Sequence, residues 1–383
     1  MDRIYLDNAA TTEVAPEVQG AMAPWLTHEF GNPSSRHPLG VRAAEAIGRA
    51  RSQVARAVGS RKKHVIFTGG GTEANNLGVL GAARARAASG RKVVIGPTEH
   101  SSVRMSAAAL VDEGFELAQA ELDAQGALDL AGFEALLDES TVLVAQMLVN
   151  NEYGTIYPIA ELARIVRRKA PNAHFHVDAV QGLGKLPLSI GELGADSIAV
   201  SAHKVHAPKG TGALVTNGAL PLRPLIFGGG QEAGLRAGTE NVVGIVAFGE
   251  AAQLAGERWE ETVEAARNAR AELEKGIARL EGARLLQPGA ERVPTICSIL
   301  LPGAPAEVWM HHLESRGVYV SVGAACQAKS GTISPALLAL HLTEHEAKRV
   351  LRFSFTRSTV CEDVERAAEI ICELAPELEA LSS

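Results

Sequence analysis

From Lys63 to Val215 the chain repeats one pattern, a short apolar run suited to a buried strand followed by residues with helical spacing. The runs are Val65–Thr68, Lys92–Ile95, Thr141–Ala145, Phe175–Val177 and Ser197–Val200. The clearest helical signal between them spans Pro158 to Lys169, where apolar residues recur at helical intervals and the end is basic. Such alternation predicts an α/β fold, a large domain with a mostly parallel sheet wrapped by helices. In these sheets ligands gather at the carboxyl ends of the strands, where Gly69, Asp178 and Lys204 fall. A long charged helical pattern from Glu250 to Leu280 reads as a bridge to a smaller α+β domain. That domain is expected to hold a strand at Ile296–Leu300, a loop with Cys326 and a final helix from Glu362 onward. The expected division is a large domain over residues 15–255 and a small one built from 1–14 and 256–383.

The bulk properties bound the function. A chain of 383 residues with 46% hydrophobic content can bury a large core, and two domains are expected. A formal net charge of −7, without a basic run, gives no general attraction to nucleic acid or an anionic membrane. The stretch Met1–Asp7 lacks the apolar core of a signal peptide, and no apolar run approaches the roughly 20 residues of a membrane span. A cytoplasmic protein is the expectation. The 4 cysteines, Cys297, Cys326, Cys361 and Cys372, form no CxxC pair, so neither a disulfide framework nor a zinc site is indicated.

Lys204 and Asp178 each close a predicted strand. An amine and a carboxylate so placed are what pyridoxal 5'-phosphate requires: the amine forms a Schiff base, and the carboxylate keeps the pyridine nitrogen protonated. The cluster Phe67–Ala74, with Gly69, Gly70 and Gly71, follows a strand and opens a helical pattern, so bare amides are available to a phosphate. Gly69, Gly71 and Ala74 also satisfy a dinucleotide fingerprint, and a tight structural turn is a third reading. No P-loop lysine follows. His174, His176 and Asp178 share one strand face and could be metal ligands, but the chain offers no second cluster of ligand spacing and that reading leaves Lys204 and Ser201 unexplained, so the histidines read first as satisfied structural residues.

Beyond these local signals, nine segments occur in one order. They are Tyr5–Thr12, Phe30–Ser35, Phe67–Asn76, Thr98–His100, Val149–Glu152, His176–Gln181, Ser201–Lys204, Arg236–Thr239 and Arg352–Ser354. With them the chain resembles, over nearly its whole length, the cysteine desulfurases of the class V aminotransferase group, fold-type I pyridoxal phosphate enzymes. The resemblance implies that Lys204 carries the cofactor and later moves a proton at the substrate α-carbon. It places Asp178 on the pyridine nitrogen, Gln181 on the ring's phenolic oxygen and His100 stacked on the ring as an acid or base near the substrate sulfur. Gly71, Thr72, Ser201 and His203 would bind the phosphate, with Thr239 lent to the neighbouring subunit of a homodimer across a flexible approach, Gly228–Glu232. Asn151 and Arg352 would bind the substrate carboxylate, the arginine through its planar fork.

Cys326 lies in Ser321–Gly331, small and polar residues without helical or strand period, hence an expected mobile loop with an exposed thiol. Cys361 and Cys372 fall in a helical pattern and Cys297 in an apolar strand, where cysteine is usually a buried hydrophobe. The resemblance makes Cys326 the nucleophile that takes sulfur from L-cysteine as a persulfide, leaves L-alanine, and hands the sulfur to an acceptor protein such as an iron–sulfur scaffold. No metal enters that expectation. Two departures from the family pattern flank the chemical residues, His206-Ala207 before Pro208 and Val322-Gly323-Ala324-Ala325 before Cys326. The other readings are a selenocysteine lyase or another pyridoxal phosphate enzyme, which would not need Cys326, and a sulfur-transfer scaffold with a largely structural cofactor site.

Overall fold

The computed structural model describes residues 3–286, 289–323 and 333–380. Its strands are β1 (Ile4–Tyr5), β2 (Val65–Thr68), β3 (Lys92–Ile95), β4 (Glu116–Gln119), β5 (Thr141–Met147), β6 (His174–Asp178) and β7 (Ser197–Ser201). They continue with β8 (Gly212–Thr216), β9 (Arg284–Leu285), β10 (Ile296–Leu300), β11 (Val318–Tyr319), β12 (Ser321–Val322) and β13 (Val350–Ser354). Seven form one sheet in the order β2-β8-β7-β6-β5-β3-β4. β7, β6, β5, β3 and β4 pair in parallel, and β8 runs against both neighbours, so β2 points the same way as the parallel set. Six carboxyl ends therefore meet at one edge, as the alternating pattern predicts.

Every expected strand is present, and the three central ones, β5, β6 and β7, extend one or two residues further than their apolar runs. The extensions end in Met147, Asp178 and Ser201, all buried at the ligand edge. Polar ends hide a strand from a hydrophobicity reading although the backbone ladder continues through them. β4 gave no signal for a related reason: it is an edge strand whose residues are exposed or half-buried.

The pattern from Glu250 to Leu280 is two helices, Val242–Glu257 and Trp259–Ile277, separated at Arg258, whose φ of −120° and ψ of 21° leave the helical region. They serve different cores, which explains the break. In the first, Gly249 lies so close to the helix Pro38–Ala57 that a Cβ there would stand 2.5 Å from Ala50 Cα. Phe248 and Ala251 join the core of the seven-stranded sheet. In the second, Ala266, Ala269, Leu273 and Ile277 pack with Leu351, Phe353 and Ile371 in a separate core that also takes Ile4 and Leu6.

The second core is backed by an antiparallel sheet in the order β12-β13-β10-β9, with β1 and β11 as a parallel pair. Ser321 and Val322, expected in an irregular loop, are β12 and pair with Arg352 and Leu351. Two residues are too few to show a period. The final helix, Cys361–Ala380, begins one residue before its expected start. Among the described residues no helix is long and apolar enough to cross a membrane.

Candidate active site

A cavity of about 280 Å³ opens at the carboxyl edge of the large sheet. Lys204, Asp178, Gln181, His100, Gly71, Thr72, Ser201, His203, Asn151 and Arg352 all line it. Ala9 and Ala10 of the N-terminal segment, and Glu152 with Pro335, close other sides.

Lys204 ends a single 3₁₀ turn, Ala202–Lys204, directly after β7. Its Nζ donates to the carbonyls of Ala9 at 2.6 Å and Ala10 at 2.7 Å, which draws the N-terminal segment over the site. Asp178, last residue of β6, accepts the Val180 N–H at Oδ1 (3.0 Å) and the Asn75 amide at Oδ2 (2.7 Å). Both carboxylate oxygens are thus held as acceptors. Gln181 donates to the Ala9 carbonyl at 3.0 Å and accepts a hydrogen bond from Lys185. Lys185 is fully enclosed, and burial first, then the charges of Lys204 and Arg352, push its pKa down to about 7.

His100 caps the helix Ser101–Val111, its Nδ1 accepting the Ser102 N–H at 3.1 Å and lying 2.8 Å from Ser102 Oγ. Burial lowers its pKa below the ordinary value, Lys204 and Arg104 adding to the shift and Asp178 opposing it, so the imidazole is neutral near pH 7. Arg352, on β13, is only 2% exposed. Its Nη2 meets Asp7 Oδ1 at 2.8 Å and its Nη1 donates to the Asn151 carbonyl at 2.9 Å. The turn after β5 is closed by the neighbouring Asn150, whose Oδ1 accepts the N–H groups of Glu152 and Tyr153, leaving Asn151 at the cavity wall.

The phosphate-type corner can be tested on its own atoms. Ser201 Oγ is buried with no hydrogen-bond partner among the described residues. A Cβ on Gly71 would fall 2.8 Å from Val180 Cγ2 and 3.3 Å from Ser201 Cβ, so bare backbone is needed there. An orphaned hydroxyl beside backbone bare of a side chain suits an anionic oxygen cluster. His203 stands 3.2 Å from Thr11 Oγ1, its pKa pushed down to about 4 by burial, then by Lys204, Lys209 and Lys185. The amine, the carboxylate and this corner together fit pyridoxal 5'-phosphate.

Thr239 is exposed and stands apart from the cavity lining. The stretch Gly228–Glu232 leading toward it, expected to be flexible, is anchored at its end. Glu232 is buried, paired with Arg51 at 2.6 and 2.7 Å, and accepts the Phe67 N–H at 2.9 Å. Its fixing contacts come from residues far away in sequence, which a glycine count does not reveal. Cys326 lies outside the described residues. Of the other thiols, Cys297 is buried in β10 and pushed up to about 12 by desolvation, and Cys372 is also raised, so both stay protonated near pH 7.

His174 and His176 do share a face, but their nitrogens turn to Ser197 Oγ, at 2.7 and 2.8 Å, and to Asn75 Oδ1, at 3.0 Å. Among the described residues no group of three or more His, Cys, Asp or Glu could hold a metal ion. Asn75, Ser102, Asp7 and Lys185 carry much of the site's hydrogen bonding without having been singled out from the sequence. Asn75 and Asp7 lie inside matched segments, and Lys185 follows Gln181 by one helical turn's spacing, so position was their available signal.

The family model described as Aminotransferase class-V matches residues 4–367. The chain is 37% identical over 383 residues to the cysteine desulfurase IscS of Dictyoglomus turgidum, covering 99% of this chain and 96% of the relative. It is 39% identical over 391 residues to a cysteine desulfurase of Cereibacter sphaeroides, covering 100% and 98%. Among solved structures a NifS-like protein superposes with a TM-score of 0.92 at 34% identity, covering 98% of this chain and all of that one.

Proposed function

The chain belongs to the class-V aminotransferase family, among its cysteine desulfurases, and from that premise we propose how its residues convert L-cysteine to L-alanine. The observation that carries the proposal is the convergence of Lys204, Asp178 and Arg352 on one cavity, from three separate strands or strand ends. Pyridoxal 5'-phosphate, when bound, supplies an electron sink for charge at the substrate α-carbon. Lys204 would hold it, and Asp178 would hold the proton on its pyridine nitrogen. Gln181 would face its phenolic oxygen, while Gly71, Thr72, Ser201 and His203 face its phosphate. Arg352 and Asn151 fix the substrate carboxylate, which aims the α-hydrogen at the Lys204 amine, and that amine moves the proton. His100, neutral in its pocket, stands beside the substrate side chain as a proton donor or acceptor.

Cys326 is the nucleophile in this reading. Its thiolate attacks the substrate sulfur; an S–S bond forms as the C–S bond breaks, and the electron pair of the broken bond stays with the substrate carbon, which takes up a proton to give alanine. The persulfide left on Cys326 then passes its outer sulfur to an acceptor. The reading extends to a cytoplasmic homodimer in which an exposed Thr239 serves the neighbouring subunit's phosphate, and to an iron–sulfur scaffold protein as acceptor. Two features support it: Thr239 stands away from its own chain's cavity, and the Dictyoglomus relative bears the name IscS.

The test is the visible spectrum of the purified protein, before and after L-cysteine with a reductant, with sulfide and alanine assayed together. A yellow band that shifts on cysteine, and sulfide equal to alanine, is the expected result. Cys326→Ala should keep the band and lose sulfide release. A colourless, metal-bearing protein overturns the cofactor reading. Undiminished activity in Cys326→Ala points to a selenocysteine lyase or related enzyme, and a yellow protein that forms no alanine points to a scaffold.

A further inference from the structure

Asn75 uses both of its N–H donors and one acceptor position inside the protein. Its Nδ2 donates to Asp178 Oδ2 at 2.7 Å and to Ser102 Oγ at 2.9 Å, and its Oδ1 faces His176 Nε2 at 3.0 Å. With Asp178 Oδ2 as acceptor, the amide turns its NH₂ toward Asp178 and its oxygen toward His176. The amide oxygen then requires a proton on His176 Nε2, which leaves His176 Nδ1 to accept from the Ser197 hydroxyl 2.8 Å away. A hydroxyl has one proton to give. Ser197 Oγ must therefore accept from His174 Nε2, at 2.7 Å, and His174 Nδ1 is left over. That nitrogen is indeed buried with no partner among the described residues.

The other branch obeys the same logic. Ser102 Oγ, having accepted from Asn75, gives its proton to His100 Nδ1 at 2.8 Å, which also accepts the Ser102 N–H. His100 carries its own proton on Nε2. Hydrogen-bond polarity thus runs one way, from His174 through Ser197 and His176 to Asn75, where it divides toward Asp178 and toward His100.

We propose that Asn75 is a positioning residue that sets hydrogen-bond polarity at both ends of the site, donating to Asp178 and, through Ser102, holding His100 as an Nε2–H imidazole, with the buried His176–Ser197–His174 chain locking its orientation. The fold makes room for this chain. Gly78 borders the His176 ring so closely that a Cβ would lie 2.4 Å from Cε1, and Gly78 sits in a π-helical turn, Leu77–Gly81, a widening often found at functional sites. Both buried histidines are held neutral, His176 pushed down to about 3 by desolvation and His174 also well below its ordinary value. Their polarity therefore survives across the working pH range.

The catalytic consequence rests on the reading of Asp178 as the cofactor's partner; the tautomers do not. Long-range proton–nitrogen correlation spectra of histidine-labelled protein, without added cofactor, should show His100, His174 and His176 all protonated at Nε2 alone. A proton on His176 Nδ1 overturns the proposal whatever the protein catalyses. With pyridoxal phosphate labelled at its ring nitrogen, His176→Phe should move the nitrogen signal toward the unprotonated form. It should also lower kcat about tenfold, the size of one weakened hydrogen bond to a charged group, with KM little changed. His176→Gln, which keeps a donor at the same reach, should restore both. Wild-type spectra and kcat in a folded His176→Phe protein overturn the proposal; if that variant does not fold, Ser197→Ala, one oxygen smaller, carries the same test with the same outcomes.

Discussion

Lys185 is a residue whose surroundings oppose its charge. Its ammonium donates to an amide, Gln181, and its near neighbours Lys204 and Arg352 are themselves cations. The hydrogen bond has a use: Lys185 donates to the Gln181 oxygen, which turns the Gln181 NH₂ toward Ala9 and the cavity, the orientation a phenolic oxygen needs. The burial has a cost that depends on pH. A lysine of the unfolded chain titrates near ~10.4, so from about pH 7 upward to that value the unfolded chain holds a proton the folded protein sheds, and stability rises with pH. Below about pH 7 both states are protonated, and the full penalty of enclosing the ammonium stands. Lys185→Met should melt above the wild type at pH 7, with the difference shrinking toward pH 10; thermal unfolding of both proteins without bound cofactor decides it. A difference that does not vary with pH would show that the lysine stays charged when folded.

At the scale of elements, the segment Gln231–Gly234 is held against the sheet by charge. Arg51, from the helix Pro38–Ala57, forks onto Glu232, donates to the Val65 carbonyl at 2.7 Å and lies 4.7 Å above the Phe67 ring. Glu232 in turn accepts the Phe67 N–H, and its side chain is only 3% exposed. One ion pair therefore links a helix, the edge of β2 and the segment leading to Thr239. Removing one member strands a buried charge, so Arg51→Met is expected to cost roughly 3–5 kcal/mol in denaturant unfolding. Arg51→Met with Glu232→Gln should recover part of that loss. If the single variant loses less than about 1 kcal/mol, the pair behaves as an exposed surface bridge and does not hold the segment.

At the scale of the whole molecule, the N-terminal segment ties the second core to the cavity. Ile4 and Leu6 pack in that core, the Ser354 N–H reaches the Leu6 carbonyl at 2.7 Å, Asp7 holds Arg352, and Ala9 and Ala10 accept from Lys204. Leu6→Ala, at a side chain 1% exposed, should cost about 2–5 kcal/mol by denaturation and should also raise KM for cysteine, because Asp7 and Arg352 shift with it. A stability loss with unchanged KM would separate the core from the site. The sequence by itself determined the sheet, because buried strands need continuous apolar runs, and it marked Lys204, Asp178 and Arg352, because their chemistry stands out at strand ends or in ordered motifs. It did not mark β4, whose residues are exposed or half-buried, or β12, whose two residues are too few to carry a period, and it did not separate out β8, a buried run of five opened by glycine. Nor did it separate the helices at Arg258, since neither Gly nor Pro stands at that residue or next to it and only the two separate cores impose the break. Asn75, Lys185 and Asp7 are ordinary residues in the chain. Asn75 and Asp7 take their roles from partners 103 and 345 positions away, and the direction of a hydrogen bond across such distances exists only once the fold has brought donor and acceptor together; the partner of Lys185 is only 4 positions away, but the burial that shifts its charge comes from the fold.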